Sequence, residues 1–169
     1  MSASPGVPIP THTGEVVKPS LVTTIAVMTL VSGILNLLGG VGILIGGVVT
    51  GIIFGFMPQM FNTRDFREVQ FMGPMMLALG IILFLLLIAL AIFFLVLAFL
   101  EVRYGIQLLA NPPKPIKPAR YIAVMEIVAI IGGNIIAAVI GVLALVFYND
   151  RSVQAYFAAV APSRTTARD

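Results

Sequence analysis

The sequence predicts an all-α fold, a polytopic transmembrane helical bundle of four spans with a short interfacial amphipathic helix at its C-terminal end. Of the 169 residues, 59% are hydrophobic and only 10% are charged, whereas soluble domains carry about 25% charged residues. The charges are also segregated, since none lies between Lys18 and Arg64 or between Glu68 and Glu101. A chain of this size and composition needs the bilayer as its solvent.

Composition also argues against several classes of function. The chain has no cysteine and a single histidine, His12, so disulfides, thiolate metal sites and histidine acid–base catalysis lack support. The sequence contains no glycine-rich phosphate loop, no paired metal-ligand spacing and no Ser-His-Asp set. Its basic residues sit in tails and short connections, where they meet lipid headgroups. We therefore expect no catalytic residue, metal, cofactor or nucleic-acid partner, and no enzyme activity.

Residues 1–19 are predicted to form a mobile tail, because prolines at positions 5, 8, 10 and 19 prevent a continuous helix. From Leu21 to Phe61 the chain then carries no charge. One helix over this stretch would be about 60 Å long, roughly twice the hydrocarbon thickness. We therefore predict a helical hairpin with spans at 21–38 and 41–57, turning at Gly39-Gly40. The alternative is one continuous helix, which gives three long tilted spans.

The glycines of this stretch favour the continuous alternative. They share one narrow stripe only if the helix is unbroken, and they are Gly33, Gly40, Gly47, Gly51 and Gly55. In either case Gly47-x-x-x-Gly51-x-x-x-Gly55 is a ridge that lets two helix backbones approach closely in lipid, so these three are predicted helix-packing residues. Asn36 is a candidate polar site predicted to hydrogen-bond across a helix interface, because an unpaired amide in hydrocarbon costs several kcal/mol.

The third predicted span, 75–100, follows an interfacial connection at 58–73 in which aromatic and charged residues alternate. This span is the most lipophilic part of the chain and shows little polar face. It ends at Glu101-Val102-Arg103-Tyr104, two opposite charges and an aromatic ring that are typical of the membrane interface. Glu101 and Arg103 are therefore predicted to lie at the interface, and Arg103 and Tyr104 are candidate anchors.

The proline-rich connection at 110–120 carries Lys114, Lys117 and Arg120, which join Arg103 in the densest positive cluster of the chain. Such a cluster ordinarily marks the cytoplasmic side. With four spans, however, 6 Lys/Arg lie on the opposite side against these 4, and with three spans the count is 5 against 5. The sequence leaves the orientation open.

The last predicted span, 121–148, is uncharged from Ile127 to Asn149. It opens at Arg120 and closes at Tyr148, and both are candidate interface anchors. One narrow face of this helix carries a carboxyl group and three small residues, at about 100° per residue. The small residues on that face, Gly133, Ala137 and Gly141, are predicted to pack against another helix.

Glu126 and Asn134 are the candidate polar residues of this last span. An ionisable group inside a span is a functional candidate by default. A structural role for Glu126, protonated or paired with Arg120 or a neighbouring helix, stands beside ion or proton handling and beside cofactor or lipid contact.

Residues 150–169 are predicted to form a helix on the membrane surface followed by a loose basic tail. Asp150 is a good N-cap residue. Val153, Tyr156, Phe157 and Val160 follow it at the i, i+3, i+4 and i+7 spacing of an amphipathic helix.

The segment GNIIAAVIGVLALVFYNDRSVQAYF, preceded by RYIAVMEI and the basic proline-rich loop, resembles the C-terminal half of small multi-pass bacterial membrane proteins, most of them uncharacterised. The resemblance covers roughly residues 101–157 and rests on Glu126, Gly133-Asn134 and a G-x-L-x-L-V-F-Y-N-D-x-x-V-x-x-Y-F ending. It implies a bacterial membrane origin and a similar helical hairpin, and it implies no activity.

Two classes of function fit these residues. The first is a structural or accessory subunit that packs against other membrane proteins or against itself, because small-residue faces and an exposed Leu/Phe span suit such a protein. The second is a homo-oligomeric channel or small transporter in which Glu126 and Asn134 face a pore. A transporter usually carries more polar groups or repeated halves. We predict the first class, in the bacterial inner (cytoplasmic) membrane.

Overall fold

A computed structural model describes residues 17–61 and 72–161, and in these ranges every regular element is helical. In chain order the helices are α1 (Ser20–Phe61), α2 (Met72–Leu109), α3 (Arg120–Val128), α4 (Ile135–Phe147) and α5 (Arg151–Val160), with a 3₁₀ turn (Ala129–Gly132) between α3 and α4. The all-α prediction is confirmed. Most of the predicted mobile tail, most of the 58–73 connection and most of the basic tail lie outside the described residues.

α1 is one helix of 42 residues, so the predicted turn at Gly39-Gly40 is wrong and the continuous alternative holds for this stretch. Glycine breaks helices in water partly because it exposes the backbone to solvent, a competition that is absent in lipid. Gly40 also has a packing role, since a Cβ built on it would lie 3.1 Å from the Leu95 side chain.

Two helices are long and apolar enough to cross a membrane, over Ser20–Phe56 and Gly73–Leu109. α4 and α5 pass the same test as a pair, but they are bent by 79° at the break between them. The described chain is therefore an integral membrane protein with two candidate spans, or three if the bent pair is a single span. The prediction of four spans is not supported.

Residues 121–148, predicted as one continuous span, instead form a helical hairpin. α3 has 9 residues and α4 has 13, about 14 and 20 Å of helix, and each is shorter than the ~30 Å hydrocarbon layer. The chain reverses at Gly133, whose φ of 85° lies in the left-handed region that glycine adopts without steric cost. α3 and α4 then pack against each other.

The chain divides into two compact units. The first comprises Met1–Leu35 and Leu97–Asp169, and so contains the start of α1, the end of α2 and all of α3, α4 and α5. Its apolar core is drawn from each of these helices and includes Val22, Ile25, Leu97, Leu108, Ile122 and Val153. The second unit is Asn36–Val96 and contains the remainder of α1 and α2.

The predicted C-terminal helix is confirmed as α5, which begins after the predicted N-cap residue. The Asp150 side chain accepts a hydrogen bond from the Ser152 backbone N–H at 2.8 Å. The apolar face of α5 is buried within the first unit, with Val153 fully covered and Tyr156 only 1% exposed. This face therefore packs on protein, whereas a surface-lying helix turns its apolar face to lipid.

Candidate functional site: a buried carboxyl pair

Three polar side chains meet inside the first unit, Ser32 on α1, Glu101 on α2 and Glu126 on α3. Ser32 and Glu101 are fully buried and Glu126 is 1% exposed. Glu101 lies about 12 Å before the end of α2. Its side chain is covered by protein, and its predicted position at the membrane interface stays a prediction. Ionisable residues in such surroundings are rare and mark functional or tightly paired sites.

Hydrogen bonds connect the three side chains. The Ser32 hydroxyl donates to Oε1 of Glu101 at 2.9 Å. The Glu126 carboxyl lies within hydrogen-bonding reach of both Glu101 and Ser32. Its Oε1 is buried and has no hydrogen-bond partner among the described residues. The site is therefore a pair of neighbouring carboxyl groups with one hydroxyl donor, which we call the carboxyl pair.

Small residues on α1 and α2 allow these side chains to meet. A Cβ built on Gly33 would lie 2.9 Å from Cγ2 of Val102 and 3.1 Å from Cβ of Glu101, and one built on Gly105 would lie 2.6 Å from Cγ of Leu30. The backbones of α1 and α2 thus come close together at two points near the carboxyl pair, at Gly33 and at Gly105. This approach brings the short Ser32 side chain within reach of Glu101.

Gly141 on α4 lies directly against the part of α3 that carries Glu126. A Cβ built on Gly141 would overlap the backbone oxygen of Ala123 and would lie 2.8 Å from Cβ of Glu126. Ala137, one turn earlier on α4, is 1% exposed. The structure therefore places Gly141, a predicted helix-packing residue, at the crossing of α3 and α4 next to the predicted polar residue Glu126.

Tyr104 joins the two ends of the α3–α4 hairpin to α2. Its hydroxyl donates to the backbone oxygen of Lys117 at 3.3 Å and accepts from the backbone N–H of Ala119 at 3.1 Å. It also accepts from the Tyr148 hydroxyl at 3.1 Å. Both rings are buried, whereas an interface anchor turns its ring to the headgroups. Because Ala119 precedes α3 and Tyr148 follows α4, the hairpin starts and ends at the same place.

The other predicted polar and anchor residues are scattered. The Asn134 side chain caps α4, since its Oδ1 accepts from the Ala137 backbone N–H at 3.0 Å. Asn36 is fully buried in the second unit, and Arg103 and Arg120 are exposed. The structure thus uses Asn134 as a helix cap, and the anchor role of the two arginines stays a prediction.

In the second unit, the glycines of α1 form two rows, an inward row that faces α2 and an outward row on the exposed side of the helix. A Cβ on Gly47 would lie 3.3 Å from Leu87 and one on Gly51 would lie 3.0 Å from Phe84, so these predicted packing residues contact α2. Gly55 has nothing within 4 Å of an added Cβ and lines an apolar groove of about 390 Å³. Three exposed glycines on the other side of α1 also have nothing within 4 Å, and they are Gly39, Gly42 and Gly46.

Sequence reasoning found Glu126 but missed Ser32 and Glu101 as its partners. A usable signal was present, because Ser32 and Asn36 are one helical turn apart and share the inward face of α1 with Gly33 and Gly40. The corresponding signal on α2 is Glu101 followed by Gly105 at i+4, a carboxyl group and a small residue on one face.

Comparisons with family models, with characterised proteins and with solved structures found no match. Within the described ranges, His, Asp and Glu residues do not gather in groups of three or more that could hold a metal ion.

Proposed function

We propose that this protein is a non-enzymatic structural or accessory subunit of the bacterial inner membrane, which packs against other membrane proteins through the sides of α1 and α2. The observation that carries this proposal is the length of the two apolar helices. Each candidate span covers 37 residues, whereas about 20 residues cross the hydrocarbon layer. Even at a tilt of 40°, about 26 residues suffice.

Roughly 11 residues of each helix therefore extend beyond the hydrocarbon layer at the greatest usual tilt. Along their length, both helices carry large side chains that the protein itself does not cover, since Leu38 and Leu86 are 65% and 62% exposed and Phe56 and Phe99 are 58% and 64% exposed. Exposed apolar surface of this extent marks a protein–protein or membrane contact. A neighbouring subunit is what covers the part that lipid does not reach.

The outward glycine row on α1 indicates where such a subunit packs. Gly39, Gly42 and Gly46 lie within about 60° of one another around the helix, and Gly42-x-x-x-Gly46 has the spacing that lets a second helix backbone come close. Since these positions are exposed and contact nothing in the chain, they are free to receive a foreign helix.

The channel alternative has less support from the geometry. The Asn134 amide oxygen is used as the cap of α4, and Glu126 is buried against Glu101. A pore lining would instead present both side chains on one open face.

The test is the native mass of the protein in lipid nanodiscs. For the wild type we expect co-migration with different membrane proteins. Gly42→Leu and Gly46→Leu should release them, because the new side chains fit the single chain but block close approach. Val41→Leu is the matched control, because Val41 is exposed about 130° from the centre of the glycine row and should leave the assembly intact. A wild type that runs alone would refute the proposal, and a ring of identical chains would favour the channel alternative.

A further inference from the structure

We propose that Ser32, Glu101 and Glu126 form a membrane-embedded proton-binding site, in which Glu126 holds one proton as a neutral acid and donates a hydrogen bond through it to the Glu101 carboxylate. The site is independent of the proposed subunit role. It lies wholly within the first unit and uses three helices that are distant in sequence.

The need for a proton follows from the contact between the two carboxyl groups. A carboxylate only accepts hydrogen bonds, so two carboxyl groups can hydrogen-bond to each other only if one is protonated. Both side chains are buried, and two like charges at this separation in an apolar interior cannot both persist. One proton between Glu101 and Glu126 removes both difficulties.

The hydrogen bonds around the pair indicate which residue carries the proton. Oε1 of Glu101 accepts a hydrogen bond from the Ser32 hydroxyl at 2.9 Å, which stabilises a charge on that carboxylate. Oε1 of Glu126, in contrast, is buried without a partner among the described residues. An unpaired carbonyl oxygen of a neutral acid costs far less in an apolar interior than an unpaired carboxylate oxygen. The proton therefore belongs to the other oxygen of Glu126, which faces Glu101.

Few other groups of the described chain compete for this proton. Glu101 on α2 is the titratable group that acts on Glu126, α1 contributes the Ser32 hydroxyl, and Tyr148 at the end of α4 is close enough to Glu126 to interact with it electrostatically. Tyr148 donates a hydrogen bond to Tyr104, and Tyr156 is near Tyr104. Phenols ordinarily release their proton only near pH 10, so the carboxyl pair is the group that titrates first.

Loss of the proton should weaken the packing of the α3–α4 hairpin against α2. When Glu126 releases its proton to water, the hydrogen bond to Glu101 is lost and two negative charges face each other. Because Glu126 is on α3 while Glu101 is on α2, the repulsion acts between the α3–α4 hairpin and the long helices. Binding of one proton thus holds the hairpin in place.

Hydrogen–deuterium exchange of the full chain in nanodiscs tests this coupling. In the wild type, protection factors of α3 and α4 should be constant below about pH 4, the ordinary range of a carboxyl pKa. They should then fall about tenfold per pH unit while the closed hairpin holds the proton and the open one has lost it, and level off once the closed hairpin loses it too. Glu126→Gln keeps a donor and a carbonyl oxygen but has no proton to lose, so its protection should match the low-pH wild type at every pH. Glu101→Gln leaves the acid at position 126 and should keep a pH dependence.

Infrared spectroscopy supplies an independent readout that a merely structural role does not move. The C=O stretching band of a protonated carboxyl group should be present in the wild type at neutral pH, absent in Glu126→Gln and unchanged in the surface control Asp150→Asn. A band that survives Glu126→Gln, or a pH dependence that survives it, would overturn the proposal. Restoration of protection at high pH by sodium, with choline as the matched salt, would also overturn it, because an alkali cation would then be the ligand.

Discussion

At the scale of single residues, the absence of a methyl group at Gly141 decides whether the α3–α4 hairpin can close. A Cβ there would meet the Ala123 backbone oxygen, which cannot rotate away, as well as Cβ of Glu126 at 2.8 Å. A flexible side-chain end could yield at such a distance, but a helix backbone moves only as a unit. The close packing of Glu126 against α4 therefore requires a residue without a side chain at position 141.

We predict that Gly141→Ala destabilises the protein by about 1–3 kcal/mol, the usual cost of overpacking a tight core. Gly39→Ala is the matched control, since nothing lies within 4 Å of its added Cβ and alanine favours the helix by about 0.5–1 kcal/mol. Unfolding midpoints in mixed micelles should fall for the first variant and stay level or rise for the second. Equal midpoints would show that the helix crossing is looser than described.

The candidate site could be predicted from the sequence only in part, and the reason is physical. Glu126 stands out because its neighbours in the chain are apolar. Glu101 instead precedes Arg103 and Tyr104, a combination that normally ends a span. Its burial depends on α2 continuing to Leu109 and on Ser32 approaching from a distant part of the chain, and local sequence carries neither fact.

At the scale of elements, α5 depends on a single side chain for its start. Asp150 accepts hydrogen bonds from the Ser152 backbone and hydroxyl, and these bonds hold the pKa of its exposed carboxyl below the ordinary value. Because the folded pKa is lowered, the stabilisation is complete above the unfolded value of about 3.9 and is lost as the pH falls through the folded value.

We therefore predict that Asp150→Ala increases amide exchange in the first turn of α5 at neutral pH, whereas Asp150→Asn keeps the cap. In the wild type the same amides should lose protection below about pH 4, and in Asp150→Asn this acid step should disappear. Asn149→Ala is the control, because the exposed Asn149 amide bonds only the Leu145 backbone oxygen one turn back. An unchanged first turn in Asp150→Ala would contradict a capping role.

The prediction of a turn in α1 failed because glycine breaks helices less readily in lipid than in water. Gly39-Gly40 reads as a turn by the rules for soluble proteins, yet α1 continues through it. The inward stripe that begins at Gly33 was the better guide, because it reports the contact with α2 directly. Gly133 did end the helix, because its backbone adopts a left-handed φ. The pattern of apolar residues around it does not predict that conformation.

At the scale of the whole molecule, the hairpin changes the charge count on which a prediction of orientation rests. The Lys18 ammonium donates to the backbone oxygens of Leu108 and Ala110 at 2.6 and 3.2 Å, so the start of α1 meets the end of α2. Tyr104 brings the ends of α3 and α4 to the same place. If α3 and α4 do not cross, only Arg64 and Arg67 of the 10 Lys/Arg lie on the opposite side.

We predict that both termini are cytoplasmic, since this places the positive charges inside. The chain has no cysteine, so single cysteines report position cleanly. Ser4→Cys and Ser163→Cys should react with an impermeant maleimide only after the cells are permeabilised, whereas Thr63→Cys should react in intact cells. Labelling of Ser163→Cys from outside would show instead that α4 and α5 cross together as a third span.

The α3–α4 hairpin also constrains the order in which the protein enters the membrane. Neither of its helices is long enough to span alone, and Glu126 resists partition into lipid until Glu101 and Ser32 surround it. Its two ends hydrogen-bond to Tyr104, which belongs to the preceding helix. We therefore expect α1 and α2 to insert and pair first during synthesis, and the hairpin to pack against them afterwards. In that order, the second stage of biogenesis is assembly on protein and not partition into lipid.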